Sequence, residues 1–192
     1  MAFYFRPFPL IRYDVKKNKL PLLLTNVTAR YKIRDILKNK VAIYYDYIVK
    51  DGDRPDNIAF KYYEDETLDW LIYIVNDIID PYYDWPLDQD AFNKYIRTLY
   101  GSVAGAKGTV FEYRKIITKQ KVLFDGTNVP ERYVVVDQNT YNTLAADLRR
   151  EVDAYEYYEE QNNNKRRIRL LDKRFAANVK SEVEVIFGDN YN

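Results

Sequence analysis

The chain has 192 residues, with 30 Lys and Arg against 29 Asp and Glu, and this net charge of +1 argues against a dedicated nucleic-acid binder. It contains no Cys and no His, which removes disulfides, thiolate nucleophiles, Cys-based zinc sites and every Ser-His-Asp or Cys-His mechanism. A hydrophobic fraction of 47% with a mean hydropathy of −0.53 permits one or two small domains with a real core and a polar surface. Tyrosine is the outlier, 20 residues against 9 Phe and 2 Trp. A ring with a polar tip suits surfaces that become buried on association, or the margin of a small core.

The first residues, MAFYFRPFPLIRYDVKK, carry no basic leader and no continuous apolar core of signal length. No stretch approaches the roughly 20 apolar residues of a membrane span. A soluble protein that stays in the compartment of its synthesis is expected. Phe3, Tyr4, Phe5 and Phe8 are dense for a solvated tail, and Pro7, Pro9 and Pro21 forbid a continuous helix. The segment reads as an arm, lying on its own domain or docking on a partner. Thr25 or Thr28 then caps an amphipathic helix to about Asn39, with Ile33, Ile36 and Leu37 on one face.

From Ala42 to Val49 a β-rich run of Ile and Tyr ends at Lys50-Asp51-Gly52-Asp53, a turn for which Gly52 supplies the permissive backbone. Asp53 is the expected N-cap of a helix with Pro55 and Asp56 in its first turn and Ile58, Ala59, Tyr62 and Tyr63 on its apolar side. Glu64-Asp65-Glu66-Thr67 breaks the pattern and caps a second helix, apolar nearly all round, through Trp70, Leu71, Ile72 and Val75. Asn76 and Asp77 end it. Asp80-Pro81 turns the chain, and Tyr82, Tyr83 and Trp85 are expected to form an aromatic cluster before Pro86.

A short helix is expected over 88–100, with Phe92, Ile96 and Leu99 on one side. Gly101 to Gly108 reads as a small-residue linker. Val110 to Phe124 suggests two strands around Thr118-Lys119-Gln120, Asp125-Gly126 a turn and Arg132 to Val136 another strand. Thr140 or Asn139 is expected to cap the longest helix, because Tyr141, Leu144, Ala145, Leu148, Val152 and Tyr155 keep helical spacing up to Asn162-Asn163-Asn164. Arg166 to Leu171 reads as a strand. Asp172 caps a last helix with Phe175, Val179, Val183 and Ile186 on one face, stopped by Gly188.

Two carboxylate groups bear on catalysis. Glu64, Asp65 and Glu66 lie at a helix N-terminus, and Glu156, Glu159 and Glu160 on the expected outer side of the long helix. Glycosidase chemistry needs one desolvated carboxyl and a second about 5 to 9 Å away across a cleft, and nothing in the spacing marks one. The basic run Lys165-Arg166-Arg167, with Arg169, Lys173 and Arg174, reads either as a contact for nucleic acid or an acidic protein surface, or as a flank that keeps a strand edge soluble, and the neutral charge balance of the chain favours the second.

Tyr47-Ile48-Val49, Gly52-Asp53, Ile58-Ala59, Tyr62 or Tyr63, Leu71 and Asn76, taken in order, resemble the LysM module, a strand–helix–helix–strand fold known mainly for binding N-acetylglucosamine polymers. The exit differs: Asp80 to Leu87 stands where that module has a Gly-containing turn and a short final strand. The string from Asp51 to Trp85, ending NDIIDPYYDWP, resembles the LysM-like baseplate wedge subunit of contractile-tailed phages of the T-even type. FRPFPLIRYD, LTNVTARYKIRDIL and EYYEEQNNNKRRIRLLDKRF fall in the expected order around it.

The resemblance implies an α+β chain: an N-terminal arm and short helix over 1–40, a small LysM-like βααβ-type module over 41–100, and C-terminal strands plus two helices over 101–192. It implies a structural, non-enzymatic subunit of a phage tail baseplate wedge, assembled in the host cytoplasm and located in the virion. Six copies per baseplate would clamp the wedge core and link neighbouring wedges around the hub. Expected partners are other baseplate wedge proteins, the sheath-initiating subunit and neighbouring wedges; no cofactor, metal, nucleic acid or membrane is expected. The candidate interface or module-core residues are Phe5, Phe8, Arg30, Asp53, Ile58, Tyr63, Trp70, Asn76, Tyr82, Tyr83, Trp85, Arg167 and Arg169. The alternative is a peptidoglycan-binding LysM protein or a carboxylate-dependent cell-wall hydrolase.

Overall fold

The computed structural model describes residues 9–15, 17, 20–26, 28 and 43–188. In chain order the elements begin with β1 (Leu10–Tyr13), β2 (Leu22–Thr25), β3 (Tyr44–Ile48), α1 (Pro55–Tyr63), a 3₁₀ turn (Glu66–Leu68), α2 (Asp69–Val75) and α3 (Pro81–Asp84). Next come α4 (Gln89–Tyr100), α5 (Val103–Lys107), β4 (Val110–Thr118), β5 (Lys121–Val122), β6 (Asn128–Val129), β7 (Arg132–Val136) and α6 (Gln138–Thr143). A 3₁₀ turn (Ala146–Leu148), β8 (Arg149–Asp153), α7 (Ala154–Lys165), β9 (Arg167–Leu171) and α8 (Lys173–Gly188) complete the chain. The class is α+β. The helix expected up to Asn39 falls on residues outside the described ones, and Thr25, one of its two candidate caps, is a strand residue.

The chain divides into two compact units, Met1–Trp85 with Arg166–Asn192, and Pro86–Lys165. In the first, β3 pairs antiparallel with β9, from Tyr44 opposite Leu171 to Ile48 opposite Arg167. The two helices that follow β3 and the strand that closes the sheet therefore form a β-α-α-β unit whose last strand arrives after the whole second unit. Gly52, at φ 80°, makes the turn out of β3. Pro55 opens α1, and Glu64, at φ 62°, closes it by donating its N–H to Phe60 O. Asp65 caps the following 3₁₀ turn, accepting from Thr67 N at 2.9 Å. Trp70, Leu71, Ile72 and Val75 of α2 are all buried, as an all-round apolar helix requires. Around them pack Val49, Ile58, Ala59 and Leu68, and from the far end of the chain Ile168, Leu170, Leu171, Ala176 and Val183.

In the second unit, α4 is capped by Asp88, accepting from Ala91 N at 2.7 Å, and buries Phe92 and Ile96. Leu99, expected on the same side, is 47% exposed in the last turn. The stretch expected as a linker is instead α5: Ser102 Oγ accepts from Gly105 N at 2.9 Å and Ala106 is buried. Its small residues permit close packing, since a Cβ at Gly105 would stand 2.8 Å from Tyr100 O. Strand β4 is the centre of a three-stranded antiparallel sheet, order β7-β4-β8, and β5 pairs with β6 rather than with β4.

The longest expected helix does not form as one piece. Asp137, not Asn139 or Thr140, caps α6, and the chain then passes through a 3₁₀ turn into β8. Residues 149–153 pair with β4, burying Val152 in the alternation of a strand. Asp153 Oδ1 then accepts from Glu156 N at 2.8 Å and α7 starts. Pairing to β4 overrides a helical spacing that was coincidental between Leu144 and Tyr155. Asn162 lies inside α7 rather than ending it, and its side chain bonds Leu87 N at 2.7 Å and Leu87 O at 2.9 Å.

Candidate functional site

Of the thirteen candidate residues, Phe5, Phe8 and Arg30 lie outside the described residues. Eight of the others, all but Tyr82 and Tyr83, meet in the β-α-α-β unit. Ile58 and Trp70 are core residues, Trp70 being 8% exposed, and Tyr63 and Trp85 pack against that core. Burial pushes the Tyr63 phenol far above its ordinary value. Trp85 also donates its indole N–H to Asp53 O at 3.2 Å. The expected aromatic cluster therefore divides: Trp85 turns inward, while Tyr82 and Tyr83 are 81% and 70% exposed with their rings edge to face, centroids 5.1 Å apart.

Asp53 is not the helix cap, because α1 starts at Pro55 behind an extended Arg54 that makes no side-chain cap. Its carboxylate closes the turn instead. Oδ2 accepts from Tyr47 Oη at 2.9 Å and Lys50 N at 3.0 Å, and Oδ1 from Lys61 Nζ at 3.1 Å. Burial alone would raise its pKa, but the Lys50 N–H, the Lys61 ammonium and the Tyr47 hydroxyl together hold it below the usual carboxylate value. Burial, then the bond to Asp53, pushes the Tyr47 phenol up to about 12. A carboxyl with a depressed native pKa contributes stability that is present above the unfolded value and lost as pH falls through the folded one. Asp53→Asn is therefore expected to cost about 1–3 kcal/mol at neutral pH, with the gap to wild type closing below pH ~4. Urea unfolding at pH 7 and pH 3 checks it; a gap that does not narrow contradicts it.

Asn76 ties the second helix to the closing strand. Its Nδ2 donates to Ile72 O at 2.8 Å and Arg169 O at 2.9 Å, and its Oδ1 accepts from Arg169 N at 2.8 Å. Asn76→Ala is expected to cost about 1–3 kcal/mol by leaving strand groups unpaired; a loss under about 0.5 kcal/mol in thermal or urea unfolding would refute that role. Arg167 and Arg169 alternate outward on β9, and the Arg169 guanidinium lies over the Tyr44 ring at 5.1 Å. Within the basic run, Arg166 pairs with Asp51 at 2.6 Å, Lys173 with Glu64 at 3.2 Å and Arg174 with Asp172 at 2.7 Å. The run is thus largely engaged inside its own unit.

Glu156 and Glu160 do not face outward as expected. Glu156 pairs with Arg150. Glu160 grips Arg114 through both oxygens, at 2.9 and 2.7 Å, and Glu112 reaches the same guanidinium at 2.5 Å. Arg114, which no sequence signal marked, is 1% exposed and lies over the Tyr133 ring at 3.9 Å. Among the described residues no group of three or more His, Cys, Asp or Glu could hold a metal ion, and no helix is long and apolar enough to cross a membrane.

What the two units present outward is apolar in places. All eight residues of the β1–β2 ribbon are exposed, including Leu10, Ile11, Tyr13 and Leu22 to Leu24. Ile79, Tyr82 and Tyr83 form a second surface, and at the β5–β6 turn Val122 and Leu123 are exposed and Phe124 wholly so. Folded elements displaying aromatic and branched side chains at separate places are suited to protein contacts.

A family model described as base plate wedge protein 53 matches residues 2–184. Baseplate wedge protein gp53 of Enterobacteria phage T4 is similar, 31% identical over 104 residues, 53% of this chain and 52% of that relative. The matched stretch spans about half the length of that curated relative. On the breadth of the family match, the chain belongs to the base plate wedge protein 53 family.

Proposed function

We propose that the chain clamps the core of a tail baseplate wedge and links neighbouring wedges around the hub. Family membership makes it a structural protein of the virion tail baseplate. The finer reading is carried by one observation: three separate exposed apolar surfaces, the β1–β2 ribbon, the turn at Ile79 to Tyr83 and the tip at Val122 to Phe124, stand on folded elements. Several modest contacts on one chain multiply in affinity when their partners sit in one assembly. Other wedge proteins, the sheath-initiating subunit and the neighbouring wedge are the proposed partners, with six copies per baseplate.

The β-α-α-β unit is read as a LysM-like fold used for protein contact. Two helices that follow β3 in the chain and share a core with the antiparallel β3–β9 pair support that reading. The segment after α2, where a glycan-binding module would turn directly into its last strand, here carries Asp80 to Trp85, and the chain makes the second unit before β9. The reading assigns no reaction: of the two carboxylate groups, Glu156 and Glu160 are engaged by arginines and Glu64 and Asp65 by lysines.

The test is co-assembly. Purified chain mixed with the wedge and sheath-initiating proteins of its own phage should form complexes stable to gel filtration, and titration with chitin oligomers should release no heat. Absence of affinity for any of those proteins would sink the clamp. Saturable heat with chitin would favour the peptidoglycan-binding alternative.

A further inference from the structure

We propose that β7 receives, along its outer edge, an extended segment of another tail protein in which acidic and apolar residues alternate. β7 is an edge strand of the sheet ordered β7-β4-β8. Among the described residues only β4 pairs with it, and no other hydrogen bond reaches the backbone of residues 132–136. In an antiparallel pair, alternate residues point both N–H and C=O away from the partner strand. The outer edge of β7 therefore presents a row of unmade backbone bonds, which an extended chain can complete.

Proteins commonly blunt such an edge with Lys, Pro or a bulge within the strand. Here Arg132 is the strand's only charge, and Tyr133, Val134 and Val135 follow it, 40%, 53% and 54% exposed. The extra residue at the register shift, Ile117, belongs to β4 and not to β7. Tyr and Val are strong strand formers, so the run invites pairing.

The two faces of the sheet select the occupant. The register sets Val134, Lys115 and Arg149 in one row across β7, β4 and β8, and Arg132 shares their face two residues along β7. Among the described residues none of these three cations makes an ion pair, and Lys115 directly opposite Arg149 is a repulsive arrangement. Glu151 is on that face too, but on β8, with β4 between it and the open edge. On the other face Arg114 is already met by Glu112 and Glu160, and Arg150 by Glu131 and Glu156. What that face offers at the edge is Tyr133 and Val135. An added strand thus meets uncompensated positive charge on one side and apolar surface on the other. Its side chains alternate between the two, so carboxylates alternate with apolar residues. A second copy of β7 does not fit, because RYVVV brings another arginine and no carboxylate. The proposal rests on the reading above of a chain that holds several neighbours, and gives the second unit a part in it.

Replacing Val135 by p-benzoyl-phenylalanine in the full chain, assembled into tails, tests it on illumination. The expected product joins position 135 to a segment of another tail protein in which carboxylates alternate with apolar residues. Arg132→Glu with Lys115→Glu should reduce that product several-fold. The second change sets a carboxylate opposite Arg149 and so spares the sheet. In the unsubstituted chain, hydrogen exchange over 132–136 should be several-fold slower in tails than in the isolated protein. No link, a link to a second copy of this chain or to a segment without that alternation, a link unaffected by the charge reversals, or equal exchange in both states would overturn the proposal and leave the baseplate reading standing. Absence of the unsubstituted chain from the tails would overturn both.

Discussion

A chain ended at Lys165 is expected to lose the β-α-α-β unit while Pro86–Lys165 stays folded. The missing segment supplies β9, the hydrogen-bonding partner of β3, and five core side chains, Ile168, Leu170, Leu171, Ala176 and Val183. It also supplies the Arg166 carbonyl that accepts from Val49 N and the Arg169 groups that Asn76 binds. Each large apolar side chain is worth about 1.5–3 kcal/mol when buried, and a small domain has only about 5–15 kcal/mol to lose. Hydrogen exchange should therefore find 44–75 unprotected in the shortened chain and 89–165 protected much as before, since the second unit has its own core at Phe92, Ile96, Ala106 and Ala154. Leu170→Asp in the full-length chain should act in the same direction. Protection retained at 44–75 would contradict the closing role of β9.

Arg114→Ala is expected to cost the second unit about 3–5 kcal/mol, the range for removing one partner of a buried ion pair. Burial works against the charge on Arg114, but Glu160 and Glu112 outweigh it and raise the pKa of the guanidinium above its ordinary value. Removing the arginine leaves two carboxylates facing each other beside an empty space under Tyr133. Glu160→Gln keeps a hydrogen-bonding group in place and should cost less, about 1–2 kcal/mol. Urea unfolding followed by exchange in 110–165 separates the two outcomes; a loss below about 1 kcal/mol for Arg114→Ala would show that the cluster is only surface pairing.

The elements that could be read from the sequence are those built by neighbours in the chain. Gly52, Pro55, Asp65 and the apolar run of α2 fix a turn, two helix starts and a buried helix within some 25 residues, by caps and periodicity alone. Nothing local announces that Tyr44–Ile48 must wait for Arg167–Leu171, because strand pairing leaves no mark in either strand's own composition. The long helix failed for the opposite reason. Leu144, Leu148, Val152 and Tyr155 satisfy helical spacing, and only the presence of β4 makes 149–153 a strand. Arg114 was hidden because a charged residue on a strand reads as solvent-facing until the carboxylates that meet it, one of them 46 residues away, are in place. Of the candidate surface, Tyr82 and Tyr83 were legible from the Asp80-Pro81 turn that presents them, whereas the fully apolar face of the β1–β2 ribbon was read only as an arm.

On the function proposed above, this chain holds more than one neighbour in the tail baseplate through separate surfaces. A cryo-EM map of intact tails of its phage tests that directly. Density is expected for the β-α-α-β unit in every wedge, with the β1–β2 ribbon and the Ile79–Asp84 turn each covered by another chain. Tails whose baseplates lack this density, or in which both surfaces face solvent, would contradict it.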